Sequence, residues 1–337
     1  VLGKALIVIP TLNEAKHIRE TLGTILLDRA MDTSIVVVVD GGSRDGTLEI
    51  VSALASQDAR VIPLRSERPT PFQSASINFA VERYGDACEW LIRIDAHAEY
   101  PRDYVANLIS TALETAADSV VAPMVSIGHD CFQIAVAAAQ NSVLGTGGSA
   151  HRSKGKSGWV DHGHHALMRL SMFKAAGGYD ETFSHNEDAE LDKRIIQLGG
   201  RIWLAEDLAI TYLPRRTPGS LFHQYRSYGV GRARTRARHG GLPKLRQILP
   251  LLVAPAVALA CLGPLWGPAA VPALIWALLC LSYGAFLGLK ACLRGQRLCA
   301  FLSGFCALIM HFAWSVGYLS QTFKGRGGEP FQQTLAR

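Results

Sequence analysis

From Leu208 to Gly328 the chain has no aspartate or glutamate, and three stretches within that segment, Ile248–Trp266, Ala269–Leu289 and Leu298–Leu319, are apolar and uncharged. Each is about as long as a helix that crosses a bilayer, and prolines such as Pro255, Pro264 and Pro272 are tolerated in such helices. The net charge of +6 conceals this division: residues 1–207 hold 27 acidic against 19 basic side chains, and residues 208–337 hold 1 against 15. An acidic region joined to a basic, apolar one predicts a membrane surface as partner. The basic residues border the apolar stretches rather than alternating with aromatics, which argues against nucleic acid. The expected organisation is a catalytic domain over 1–214, a basic juxtamembrane helical segment over 215–246, an anchor of about three spans over 247–322 and a tail over 323–337. Lys244, Arg246, Lys290, Arg294 and Arg297 favour cytoplasmic flanks. A three-span path then leaves Lys324 and Arg326 outside, so one span would be re-entrant or interfacial.

The first two-thirds has a different grammar. Ala5–Ile9, Ser34–Val39, Arg60–Leu64 and Trp90–Ile94 are short β-branched or apolar runs separated by helix-sized segments, which predicts a doubly wound α/β sheet buried on both faces. The opening run Lys4–Pro10 is too short for a signal-peptide core and reads as a first strand, leaving the catalytic part in the cytoplasm. The seven cysteines show no CxxC pair and read as small hydrophobic packers in a reducing compartment.

In such sheets ligands bind beyond the carboxyl ends of the strands, and polar groups gather there. Pro10-Thr-Leu-Asn13-Glu14 follows the first strand, Asp40-Gly-Gly-Ser-Arg-Asp45-Gly-Thr47 the second and Asp95-Ala-His97 the fourth. The second loop is neither a Walker loop nor the dinucleotide GxGxxG, which excludes a nicotinamide dehydrogenase; an ordinary capped βα loop is its bland alternative. Asp95 and His97, on alternate residues, face one way if the strand continues, and a carboxylate with an imidazole suits Mn²⁺ better than Mg²⁺. Glu187 and Asp188 open an amphipathic helix, where a carboxylate serves as general base; Glu190 and Arg194 read as a surface ion pair. Asp161-His-Gly-His-His165 reads as a polar acceptor-side loop rather than a metal cluster. Trp159 and Tyr179 are left between sugar stacking and core. Gln224, Arg226, Tyr228 and Arg232 stand before the apolar stretches, where an arginine either grips pyrophosphate or lies on anionic lipid.

Together, in this order, the segments from about Ala5 to Arg238 resemble family 2 glycosyltransferases of the GT-A fold, most closely the ExoA-type glucosyltransferases of exopolysaccharide synthesis. The resemblance implies a Rossmann-like, doubly wound mixed sheet followed by C-terminal transmembrane helices. It implies Pro10, Asn13, Glu14, Asp40 and Asp45 as donor contacts and Asp95 with His97 as the metal site, holding Mn²⁺ or Mg²⁺. Asp188 resembles the family's catalytic base, Glu187 its orienting partner, and Gln224, Tyr228 and Arg232 its closing motif before the membrane, in which Gln224, Arg226 and Arg232 are the expected donor contacts. Two departures are Gly41, where a second acid is usual, and His97, where many members have aspartate. The motif Gln224-Tyr-Arg-Ser-Tyr228 departs from that of processive synthases and implies addition of one sugar. The expected activity is inverting transfer of a hexose, glucose first among them, from a UDP-sugar to a lipid-linked saccharide. The expected place is a multi-pass position in the bacterial inner membrane, with the catalytic domain cytoplasmic and other polysaccharide-assembly proteins as partners. A polyprenyl-phosphate sugar synthase and a catalytically silent sugar-nucleotide-binding membrane scaffold are the alternatives.

Overall fold

A computed structural model describes residues 2–68, 72–147, 156–241 and 245–327. Lys244, the side chains of Arg246 and Arg326, and residues 328–337 of the expected tail lie outside them. The strands are β1 (Ala5–Thr11), β2 (Ile35–Asp40), β3 (Val61–Arg65), β4 (Trp90–Arg93), β5 (Ala98–Glu99), β6 (Ser119–Ala122), β7 (Met124–Ser126), β8 (Gly158–Val160), β9 (His164–Arg169), β10 (Ile202–Leu204) and β11 (Ile210–Tyr212). The helices are α1 (Ile18–Leu26), α2 (Thr47–Ala55), α3 (Gln73–Tyr84), α4 (Tyr104–Thr115), α5 (Cys131–Gln140), α6 (Val143–Thr146), α7 (Leu170–Ala175), α8 (Glu187–Gln197), α9 (Pro218–His239), α10 (Leu245–Leu251), α11 (Val253–Ala260), α12 (Val271–Leu293) and α13 (Ser303–Gly327).

Two compact units divide the chain: Val1–Ile127 with Ser149–Leu213, and Gly128–Gly148 with Pro214–Arg337. In the first, an eight-stranded sheet runs β3-β2-β1-β4-β9-β6-β10-β8, and β5-β11-β7 form a small second sheet. The large sheet is mixed: β1, β2, β3 and β4 pair in parallel, whereas β9 lies antiparallel between β4 and β6. Alternation along β1 explains its burial on both faces. Ala5, Ile7 and Ile9 pack with Ile18, Leu22 and Leu108 from α1 and α4, whereas Leu6 and Val8 pack with Ile77, Phe173 and Leu191 from α3, α7 and α8. Each such side chain stabilises the fold by about 1.5–3 kcal/mol. The chain turns from β2 and β3 on one side of β1 to β4 on the other, so the topological switch lies between β1 and β4, and ligands of such sheets bind beyond the carboxyl ends of the strands there.

In the second unit α9 and α13 cross closely: a Cβ on Gly229 or Gly317 would collide with the other helix's backbone. Among the described residues, two helical segments, Gly267–Leu293 and Leu298–Lys324, are long and apolar enough to cross a membrane. Leu274, Leu278, Leu279 and Phe286 of α12 are exposed, a surface that favours hydrocarbon over water. The first expected span, Ile248–Trp266, instead forms the short helices α10 and α11, followed by turns through Gly263 and Leu265. Prolines 250 and 255 lack the N–H that a continuous helix uses, and Gly263-Pro264 ends the run. The cysteine reading is also corrected. Cys131, at the start of α5, and Cys299, in the turn before α13, form a disulfide with Cα atoms 5.1 Å apart, and the other five are free. A separation of 168 residues leaves no local pattern by which to foresee the pair.

Candidate active site

The loops after β1 and β2 are built as one piece. Asn13 takes a left-handed conformation (φ 59°), which asparagine tolerates, and its side-chain oxygen accepts from the Arg44 N–H at 3.0 Å. The Asn13 N–H donates to Ser43 Oγ at 2.8 Å, and the Glu14 N–H to Thr47 Oγ1 at 2.9 Å. Asp40 is buried and accepts from the Gly42 and Ser43 N–H groups. Asp45 accepts from the N–H groups of Ala15 and Thr47 and from the Thr47 hydroxyl. The Thr47 bond foremost, with the backbone bonds, outweighs desolvation and lowers its pKa. Pro10 continues β1, paired with Val39. His97, in the segment after β4, meets this loop pair, its Nδ1 2.9 Å from Glu14 Oε1.

Behind His97 the site is densely charged. Arg93, the last residue of β4, is 6% exposed, a costly position for a guanidinium unless carboxylates surround it. They do: Nη1 lies 2.8 Å from Asp188 Oδ1 and 3.3 Å from Glu187 Oε1, and Nε lies 3.4 Å from Asp95 Oδ1. Its Nη2 donates to Gln73 Oε1 at 2.5 Å. Asn186, left-handed at φ 61°, starts α8 and presents Glu187 and Asp188 in its first turn. His164 stands between the acids, Nε2 3.6 Å from Asp95 Oδ2 and Nδ1 3.6 Å from Asp188 Oδ2. His165 is fully buried, with Nδ1 2.7 Å from the Tyr179 hydroxyl and 3.3 Å from Asp188 Oδ1, and Nε2 2.6 Å from Asp192 Oδ1.

These surroundings drive the adjacent acids apart. Burial and then the Asp188 charge raise the pKa of Glu187, although Arg93 opposes them. Burial pushes Asp188 the same way, but Arg93, His165 and His164 overwhelm it and hold the carboxyl well below its ordinary range. Asp95 is lowered too, against burial, by Arg93, His164 and His97. Burial disfavours the Arg93 charge, yet Asp188, Asp95 and Glu187 keep it ionised. The surroundings thus shift adjacent acids in opposite directions, the pattern from which acid–base roles are assigned, and Asp188 is the one whose charged form they favour.

The first unit thus gathers Pro10, Asn13, Glu14, Asp40, Asp45, Asp95, His97, Glu187 and Asp188 at one end of its sheet, whereas Gln224, Arg226 and Arg232 lie on α9 of the second unit. There Gln224 is buried and donates to the Tyr228 hydroxyl at 3.1 Å, and Arg226 is exposed. Three details correct the reading from sequence, and one, Tyr179, settles a choice it left open. The strand extension expected to aim Asp95 and His97 alike stops at Arg93, and both residues sit in the turn that follows. His164 and His165 belong to strand β9 rather than a loop. Tyr179 is buried core, its hydroxyl 3.3 Å from Asp188 Oδ1, so it does not stack on a sugar. Glu190 is buried and pairs with the half-buried Arg194: Arg194 Nε donates to Glu190 Oε1 at 3.0 Å, and Nη1 to the Gly178 carbonyl at 2.7 Å, which pins the turn before α8. Arg93 itself was missed; its signal was one charge inside the apolar run Trp90–Ile94.

Among the described residues no three His, Cys, Asp or Glu side chains group as a metal cage. The buried carboxylate of Asp95 and the more exposed imidazole of His97 nevertheless fit, by donor type, a divalent ion carried by a diphosphate, since such ions take few protein ligands and draw the remainder from phosphate oxygens.

Comparison with known proteins agrees with this geometry. The model of glycosyl transferase family 2 matches residues 6–177. The succinoglycan biosynthesis protein ExoA of Rhizobium meliloti is 48% identical over 315 residues, covering 93% of each chain. Among solved structures, the mannosyltransferase PcManGT from Pyrobaculum calidifontis, in complex with GDP-Man and Mn²⁺, superposes with a TM-score of 0.57 at 22% identity, over 95% of this chain and 88% of that one. GalNAc-T7 with UDP, GalNAc and Mn²⁺ gives a TM-score of 0.50 at 15% identity, over 72% of this chain and 52% of that one. These structures share the GT-A fold.

Proposed function

This chain belongs to glycosyl transferase family 2, and from that premise we propose an inverting hexosyl transfer, of glucose from UDP-glucose, to a hydroxyl of a lipid-linked saccharide in bacterial exopolysaccharide synthesis. The observation that carries the mechanism is the placement of Glu187 and Asp188 against the buried Arg93, 3.3 and 2.8 Å from its Nη1, where the pKa of Asp188 is lowered and that of Glu187 raised. Asp188 Oδ2 accepts the acceptor proton as the hydroxyl attacks the anomeric carbon, and Glu187 orients the hydroxyl. Single displacement converts an α-linked donor into a β-linked product. Pro10, Asn13, Glu14, Asp40 and Asp45 line or brace the nucleotide crevice; Asp40 and Asp45 brace it through backbone N–H groups, and Arg226 and Arg232 serve the diphosphate or the membrane surface. Asp95 and His97 would hold a divalent ion, Mn²⁺ or Mg²⁺, which offsets the charge of the departing diphosphate when bound.

The succinoglycan name of the relative supports the exopolysaccharide assignment. Two long apolar helices and the basic α9 support a multi-pass place in the inner membrane with the first unit cytoplasmic, next to other polysaccharide-assembly proteins. The test is UDP release and product analysis with a panel of UDP-sugars, membrane lipid extract as acceptor, and Mn²⁺, Mg²⁺ or chelator. One donor turned over to a β-linked lipid-saccharide is expected. An α-linked product would refute single displacement, a one-sugar polyprenyl phosphate would move the acceptor class, and donor binding without turnover would make the protein a scaffold.

A further inference from the structure

Asp188 and Asp192 lie one turn apart on α8, and the imidazole of His165 spans them, Nδ1 toward Asp188 Oδ1 at 3.3 Å and Nε2 toward Asp192 Oδ1 at 2.6 Å. Both His165 and Asp192 are fully buried. A buried ion pair adds little stability over apolar packing of the same volume, so its presence calls for another reason. Asp192 is itself fixed, Oδ2 lying 2.8 Å from His162 Nδ1 and accepting from the Gly163 N–H at 3.3 Å. Consecutive strand residues ordinarily point to opposite faces, yet His164 and His165 both reach Asp188. The register of β9 against β6 slips at this point: Val120 pairs with Leu167 and Val121 with His165, leaving Ala166 as a bulge. Bulges re-aim side chains beside functional sites.

The consequence falls on the two oxygens of Asp188. Oδ1 is held by Arg93 at 2.8 Å, Tyr179 at 3.3 Å and His165 at 3.3 Å. Oδ2 has, among the described residues, only His164 at 3.6 Å. We propose that His165, gripped by Asp192, is a positioning residue that locks Asp188 Oδ1 and so leaves Oδ2 as the oxygen that takes the acceptor's proton. This rests on the reading of Asp188 as the base. Burial lowers the pKa of the imidazole, but Asp192 and Asp188 raise it above the ordinary value against the opposing field of Arg93, so the position between the two carboxylates favours its charged form.

Two substitutions separate positioning from packing. His165→Asn keeps an amide near the Nδ1 position and loses Asp192; His165→Gln reaches Asp192 and loses the contact to Asp188. Positioning predicts that His165→Gln lowers kcat roughly 10- to 100-fold, the scale of partners that orient a reacting group, with UDP affinity and donor KM unchanged, and that His165→Asn loses less. Asp192→Asn, which preserves shape, is expected to lower kcat by about tenfold, and it decides the matter if either His165 variant fails to fold. Wild-type kcat in His165→Gln or Asp192→Asn, or equal losses in the two His165 variants, would overturn the proposal. Asp188→Asn in the same assay keeps the two readings apart. Turnover surviving there removes Asp188 as the base, whereas its loss beside an unaffected His165→Gln removes only the positioning role.

Discussion

The loops after β1 and β2 and the cluster around Arg93 stand at the same end of one sheet, yet they hold their carboxylates in opposite ways. Asp40 and Asp45 accept from backbone N–H groups two or three residues along or from the neighbouring loop, and Asp45 also from the Thr47 hydroxyl, so their charge is met by peptide dipoles and one hydroxyl and shapes the chain. Asp95, Glu187 and Asp188 are met by one guanidinium and by imidazoles. Peptide dipoles pre-organise a cradle of fixed form. Side-chain charges in a dry site instead set protonation, because each neighbour's field is poorly screened there. The difference separates a region suited to binding from one suited to proton transfer.

The comparison breaks most severely at Arg93. Arg93→Met should leave three acids buried without their counter-charge, costing about 3–5 kcal/mol and abolishing turnover; urea unfolding of wild type and variant measures it, and an unchanged midpoint would show that the acids do not depend on the guanidinium.

Asp192→Asn should cost less, about 1–3 kcal/mol, and its cost should depend on pH. The pKa of His165 is raised, so its share of the stability is complete below the free-histidine value of about 6.5 and fades as pH climbs through the raised one. Asp192 is lowered, so its share is complete above the free-aspartate value of about 3.8 and is lost as pH falls through the lowered one. The melting-temperature gap between wild type and variant should therefore be widest near pH 5–6 and narrow on both sides. A gap that does not vary with pH would mean the pair is not ionic.

The smallest effect belongs to the cradle. Thr47→Val removes a hydroxyl that joins the two loops and should cost about 1 kcal/mol, raising the donor KM while kcat stays near wild type. A kcat loss with unchanged KM would show that the two regions are not separable.

Much of the cradle was legible in sequence because it is local. The apolar runs ending in Pro10, Asp40 and Asp95 predicted strands that the sheet contains within a residue or two, and with them the loops at their carboxyl ends. The start of α8 was legible for the same reason. The cluster was not. His164 and His165 read as part of a polar loop, and nothing nearby announces an antiparallel strand inserted between β4 and β6. Asp192 is one more charge on an amphipathic helix, and its partner lies 27 residues away, beside a bulge. Helical length also proved harder to read than apolarity, as the break of Ile248–Trp266 into α10 and α11 shows.

The central claim is that Asp188, ionised beside Glu187, is the base. The most direct measurement is kcat for Asp188→Asn and Glu187→Gln at neutral pH, with UDP affinity taken on the same preparations. The account predicts a loss of roughly 10²- to 10⁴-fold for Asp188→Asn, a smaller one for Glu187→Gln and no change in UDP affinity. Turnover that survives in Asp188→Asn and disappears in Glu187→Gln would contradict it.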